Sequence, residues 1–177
     1  MDDPTTPHGP NLVLIGMPGV GKSTAGILTA KALGLSFVDT DVVLQQRTGR
    51  LLTQLIDEHG IDGFLNIESK IIASLSLDHS VIATGGSAVL RPEAVENIAG
   101  GGLTIYLSAS LREIHRRITD IAERGIAMPP HADLAAVHAE REPRYRQTAD
   151  QIIDCTRLSL EQTVQEISRI WRSFLSR

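Results

Sequence analysis

Eight residues near the start of the chain, Gly16-Met-Pro-Gly-Val-Gly21-Lys22-Ser23, hold the types and spacing of a phosphate-binding loop. The pattern G-x-x-x-x-G-K-[ST] carries weight only between a strand and a helix, and both flanks read that way. Glycines let the backbone curl until successive N–H groups point inward at phosphate oxygens. The helix that follows adds the positive end of its dipole. A lysine at Lys22 reaches β- and γ-phosphates, and a hydroxyl at Ser23 ligates Mg²⁺. The loop by itself implies a nucleoside triphosphate and says nothing of an acceptor.

The elements that must position this loop are short and regular. Asn11–Gly16 is an apolar run ending on glycine, as a buried parallel strand reads. Ser23–Leu33 has helical character, with Gly34 as its stop. Further strands are expected at Ser36–Asp39, Val81–Thr84, Leu103–Leu107 and Gln151–Cys155. Helical stretches separate them at Leu51–His59, Gly63–Leu75, Pro92–Ile98, Leu111–Ile118, Asp133–Arg146 and Leu160–Phe174. Short strands alternating with helices predict one α/β domain over 11–177, a five-stranded parallel sheet with helices on both faces. Thr119–His131, with Gly125, Pro129 and Pro130, breaks the alternation and reads as a mobile lid.

Composition removes several function classes. The chain has 177 residues and a formal net charge of −4, so it lacks the basic face of a nucleic-acid binder. No apolar run approaches the roughly 20 residues that span a bilayer. Residues 1–10 carry neither the positive flank nor the apolar stretch of a secretory signal and read as a disordered lead-in. Cys155 is the single cysteine, which excludes an intrachain disulfide and a cysteine-cluster metal site and makes a cytoplasmic location the default. The histidines lack ligand spacing. Cys155 and Trp171 read as packing residues.

Three further motifs narrow the chemistry. Phe37-Val-Asp39-Thr-Asp41 follows the second strand, and Ala83-Thr-Gly85-Gly86-Ser87 follows the third. The expected helix over Asp133–Arg146 ends in Glu140-Arg141-Glu-Pro143-Arg-Tyr145-Arg146. Two carboxylates beyond a phosphate loop suit a kinase, because a sugar-like hydroxyl is a poor nucleophile until a carboxylate orients it. Asp41 could equally be a plain N-cap ahead of a helix over Val42–Arg47.

With the loop, the order and spacing of these motifs resemble the shikimate kinase family from Asn11 to about Thr156. The resemblance implies ATP and Mg²⁺ as cofactors, a small-molecule acceptor (shikimate), a monomer, and the fold of nucleoside monophosphate kinases. It implies that ATP sits on Gly16, Gly19, Val20, Gly21, Lys22, Ser23 and Thr24, with Arg117 and Arg157 flanking the adenine. It gives Ser23 and Asp39 to Mg²⁺, and makes Asp41 the base that receives the acceptor's proton. Gly85 and Gly86 would present backbone N–H groups to the acceptor, and Arg141 would grip its carboxylate. Arg124, in the expected lid, would close on the transferring phosphoryl group beside Lys22.

The chain departs from the family at two places. Ser87 stands where a third glycine is usual, and Leu65 where a second carboxylate-binding arginine is usual, one residue after Phe64 and three before Glu68. Losing such a charge-assisted contact costs about 2–5 kcal/mol. Either Arg144, three residues beyond Arg141 on one helix, supplies the charge, or the pocket takes a different polyol or hydroxy acid. A nucleotide-binding regulator without kinase activity is the non-enzymatic alternative. A nucleoside monophosphate kinase would need a base-recognising pocket that no residue set proposes.

Overall fold

The computed structural model describes residues 9–118 and 133–177. The expected lid, the start of the lead-in and Arg124 lie outside these residues. Gly9, counted above with the lead-in, already belongs to the fold, since its carbonyl accepts a hydrogen bond from the His79 N–H at 3.0 Å.

Among the described residues five parallel strands form one sheet: β1 (Leu12–Ile15), β2 (Ser36–Asp39), β3 (Ser80–Ala83), β4 (Leu103–Ser108) and β5 (Gln151–Asp154). Their order is β2-β3-β1-β4-β5, so β1 runs down the middle with β3 and β4 as its neighbours. All four β1 residues, Leu12 to Ile15, are fully buried. That is why β1 reads as an unbroken apolar run, as a strand covered on both faces must. The chain leaves β1 for β2 on one side and reaches β4 on the other, which makes the end of β1 a switch point where an α/β sheet opens a crevice.

Among the described residues seven α-helices flank the sheet on both faces: α1 (Lys22–Leu33), α2 (Thr40–Thr48), α3 (Leu52–Ala73), α4 (Pro92–Ala99), α5 (Leu111–Arg117), α6 (Leu134–Thr148) and α7 (Leu160–Leu175). α1 and α7 pack on each other, with α1 touching β1, β2 and β3 and α7 touching β4 and β5. α4 and α6 reach β1 and β4, and α3 lies against α4. Gly34 ends α1 in the left-handed conformation at φ 70°, as its placement predicted. Trp171 is buried on α7 and stacks on Phe174 with centroids 5.5 Å apart. Cys155 is buried at the end of β5, and burial raises its thiol pKa, so it packs and does not react.

Two expectations change. The helices read over Leu51–His59 and Gly63–Leu75 are halves of α3, interrupted at Gly60, whose φ of 66° and ψ of 179° are not helical. The helix entertained over Val42–Arg47 is α2, but its N-cap is Asp39 and not Asp41.

Apolar packing splits into a main cluster around the sheet and a smaller one beside α2 and α3. The smaller cluster contains Leu44, Leu52, Leu55, Phe64 and Leu65. Leu65 is 5 % exposed and packs there, so the residue at the expected departure belongs to a hydrophobic core. Truncating a well-packed buried leucine removes its transfer free energy and leaves a cavity. Leu65→Ala is expected to cost about 2–5 kcal/mol in urea unfolding.

Candidate active site

The phosphate loop turns directly off the end of β1. Gly21 is the N-cap of α1 at φ 106°, a conformation that L side chains rarely adopt, and a Cβ there would point into open space. α1 has no side-chain cap and no acidic residue in its first turn. Its first N–H groups and its dipole therefore remain available to an anion. Lys22 is buried, and its Nζ donates to the carbonyls of Gly16 at 2.7 Å and Met17 at 3.0 Å. Burial lowers its pKa to about 8, against the pull of Asp41 and Asp39. The ammonium rests on its own loop, poised to exchange carbonyl partners for phosphate oxygens.

Gly19, Gly21, Lys22, Ser23 and Thr24 line a cavity of about 510 Å³, the size of a small-molecule site. Gly16 and Val20 lie behind this wall and are buried. Ser23 and Thr24 are exposed. The far side of the cavity is built by Asp41, Thr84, Gly85, Gly86, Ser87, Phe64 and Arg141.

Asp39 and Asp41 divide their work. Asp39 Oδ1 accepts from the Asp41 N–H at 3.0 Å and the Val42 N–H at 3.4 Å, which fixes the start of α2 and leaves the other oxygen unused by that cap. Asp41, one residue into α2, lines the cavity. Burial and then the neighbouring Asp39 raise its pKa to about 6, while Lys22 pulls it down. A carboxylate that titrates just below neutrality suits a proton acceptor at pH 7.

Three elements pin the turn after β3. The Thr84 hydroxyl donates to the Leu14 carbonyl at 3.1 Å, and the Gly85 N–H donates to Thr40 Oγ1 at 3.1 Å. The Tyr145 hydroxyl donates to the Gly86 carbonyl at 2.5 Å, and its ring stacks on Tyr106 at 4.9 Å. The expectation that both glycines offer N–H groups to an acceptor is thus corrected for Gly85, whose N–H is committed to Thr40. A side chain cannot be placed there either. A Cβ on Gly85 would stand 2.6 Å from Asp41 Oδ1 and 2.6 Å from Glu68 Oε1. Those two oxygens are therefore within ~5 Å of each other, where like charges raise one another's pKa.

Glu68 is buried on the second half of α3, and both its oxygens meet Ser87 Oγ, at 2.9 and 2.8 Å. Burial raises its pKa to about 7, with Asp41 adding to the shift and Ser87 and Arg141 opposing it. Leu65 thus packs in the core, and Glu68 is paired with Ser87.

The arginines separate into those at the cavity and those away from it. Arg141 is 2 % exposed and lines the cavity. Arg117 also lines it, held by hydrogen bonds to the carbonyls of Val20 at 2.9 Å and Cys155 at 3.1 Å and by an ion pair with Glu113 at 2.6 Å. Arg144 is exposed on α6 and takes no part in the cavity wall, because the helix that turns Arg141 inward carries Arg144 outward. The expectation that it replaces the missing arginine is not met. Arg157 is also exposed and outside the wall, on the segment whose Cys155 carbonyl Arg117 holds.

Sequence reading missed the roles of Tyr145, Thr40 and the Glu68–Ser87 pair. Tyr145 was visible in its motif, but its partner lies 59 residues away. Gln45, Leu51, Leu52 and Thr53 complete the wall and carried no motif signal.

The donor set fits Mg²⁺-ATP. Mg²⁺ keeps several waters and uses few protein oxygens alongside phosphates. A Ser23 hydroxyl and a partly committed Asp39 match that demand. Among the described residues no group of three or more His, Cys, Asp or Glu side chains could hold a metal alone.

A family model described as shikimate kinase matches residues 18–171. A shikimate kinase of Thioalkalivibrio sulfidiphilus is 37% identical over 165 residues, covering 92% of this chain and 87% of that protein. One of Mycobacterium avium is 40% identical over 151 residues, covering 84% of this chain and 85% of that protein. Among solved structures, a shikimate kinase from Acinetobacter baumannii in complex with shikimate superposes with a TM-score of 0.79 at 25% identity, covering 93% of this chain and 94% of that chain.

Removing the Tyr145 hydroxyl leaves the part-buried Gly86 carbonyl without its donor. Tyr145→Phe is expected to lower stability by about 1–2 kcal/mol in chemical unfolding while the acceptor KM rises.

Proposed function

The chain belongs to the shikimate kinase family, and on that premise we propose how its residues carry the reaction. It is a phosphotransferase with an alcohol acceptor: it phosphorylates shikimate with ATP and Mg²⁺, a step of aromatic amino-acid biosynthesis. The observation that carries the residue assignment is the convergence of Lys22, Asp41 and Arg141 on one cavity at the end of β1.

The loop N–H groups from Gly19 to Thr24 and the Lys22 ammonium hold the phosphates of ATP, aided by the α1 dipole. Ser23, through its hydroxyl, and Asp39 would hold Mg²⁺. The metal supplies positive charge where phosphoryl charge builds up. Arg141 takes the shikimate carboxylate in a planar fork, and the Gly86 N–H steadies the acceptor from the turn. Asp41 Oδ receives the proton of the attacking hydroxyl as the new phosphate-ester bond forms and the bond to the ADP oxygen breaks. Arg117 flanks the adenine, and Arg124 completes the phosphoryl site from outside the described residues. A monomer is the proposed working unit. The requirement for ATP supports a cytoplasmic location, and no helix among the described residues is long and apolar enough to cross a membrane.

Asp41→Asn is expected to lower kcat by at least about 100-fold with ATP affinity near normal, as read by a coupled assay and calorimetry. Because burial raises its pKa, Asp41 is an effective base only above its titration, so wild-type kcat should fall as pH drops below about 6. Retained turnover in Asp41→Asn refutes the role. Arg141→Ala should raise the shikimate KM at least about tenfold. Arg144→Ala should leave it close to wild type, since its exposed side chain stands outside the cavity.

A further inference from the structure

Ser87 lines the cavity, and Glu68 lies directly behind it, outside the wall. One hydroxyl therefore stands between a buried carboxyl group and the acceptor space. We propose that Ser87 is an acceptor contact whose hydrogen-bond direction is set by Glu68. With Glu68 protonated, the carboxylic acid donates to Ser87 Oγ, and the Ser87 O–H turns into the cavity to donate to the acceptor's carboxylate beside Arg141. With Glu68 ionised, the Ser87 O–H turns back between the two carboxylate oxygens and offers the cavity only lone pairs. Ser87 then becomes a specificity-determining residue and Glu68 its positioning residue, in a chain where Leu65 has withdrawn into the core. The inference rests on the shikimate kinase reading above.

The geometry supports both states. A Ser87 oxygen nearly equidistant from Oε1 and Oε2, at 2.9 and 2.8 Å, can receive from either carboxyl oxygen or donate between them. The titratable or charged groups that face Glu68 are Asp41 from α2 and Arg141 and Tyr145 from α6. Burial and the nearby Asp41 disfavour the ionised form, while Ser87 and Arg141 favour it, and the balance puts the titration at about 7. The sign follows. Glu68 is protonated below that pH, which arms the Ser87 donor, and it ionises above it. Ionisation disarms the donor and places a second negative charge behind the acceptor's own carboxylate, so both effects weaken the anionic acceptor as pH rises.

The test is the shikimate KM of wild type, Ser87→Ala and Glu68→Gln between pH 6 and 8, with kcat and the ATP KM followed in parallel. Wild type should show a KM rising up to about tenfold over that range. In Glu68→Gln the amide donates to Ser87 Oγ at every pH, so KM should stay low and nearly flat. In Ser87→Ala the KM at pH 6 should rise about tenfold, and its further rise with pH should shrink to the part that the Glu68 charge alone supplies. In all three, kcat at pH 7 and the ATP KM should move little. Should Ser87→Ala fail to fold, as judged by circular dichroism and ATP binding, Ser87→Gly serves in its place. An unchanged KM in the Ser87 variant, or a wild-type pH profile in Glu68→Gln, overturns this inference while leaving the kinase assignment intact. Absence of shikimate turnover by the wild-type chain overturns both.

Discussion

The turn after β3 enters the space between Asp41 and Glu68 only because Gly85 carries no side chain there. A Cβ at that point would stand 2.6 Å from an oxygen of each carboxyl group. With the space empty, the Gly85 N–H reaches Thr40, the Gly86 carbonyl reaches Tyr145, and Ser87 falls against Glu68. Four segments that share no local sequence are thereby held to one short turn: the start of α2, the second half of α3, the end of β3 and the inner face of α6. The acceptor half of the cavity is the shape left between them.

Crowding two carboxyl groups around this turn has an electrostatic effect that the fold exploits. Neither group can ionise without raising the pKa of the other. Lys22 pulls Asp41 down, while burial and the nearby Asp41 hold Glu68 up against the opposing pull of Ser87 and Arg141. Asp41 therefore titrates at about 6 and Glu68 at about 7, so a base and an acid can coexist around neutrality. One environment, divided by the placement of a lysine, gives two carboxyl groups different work.

How much of this was legible in the residues depended on how local the signal was. The phosphate loop and β1 declare themselves because every atom that matters lies within one strand, one turn and the helix after it. α2 is hard to see because only Thr40 and Leu44 of its nine residues are buried, so it has little apolar stripe. The break at Gly60 was read correctly as a boundary, though α3 continues through it. Arg144 misled because spacing of three predicts a shared helix face in isolation. On α6 the burial of Arg141 and Tyr145 sets which face is inward, and Arg144 falls off it. The Glu68–Ser87 bond spans 19 residues and joins two residues that looked independent in the sequence. Long-range partnerships of this kind have no local pattern to betray them.

The burial of Trp171 has a spectroscopic corollary. It is the chain's single tryptophan, packed on α7 against Phe174, and it contributes nothing to the cavity wall. Its fluorescence therefore reports the integrity of the layer that α7 forms with α1, whose first turn carries the phosphate loop. Emission should track global unfolding and the nucleotide end of the molecule. Shikimate, seated against α2, α6 and the turn after β3, has no direct route to the indole, so its arrival would be optically silent.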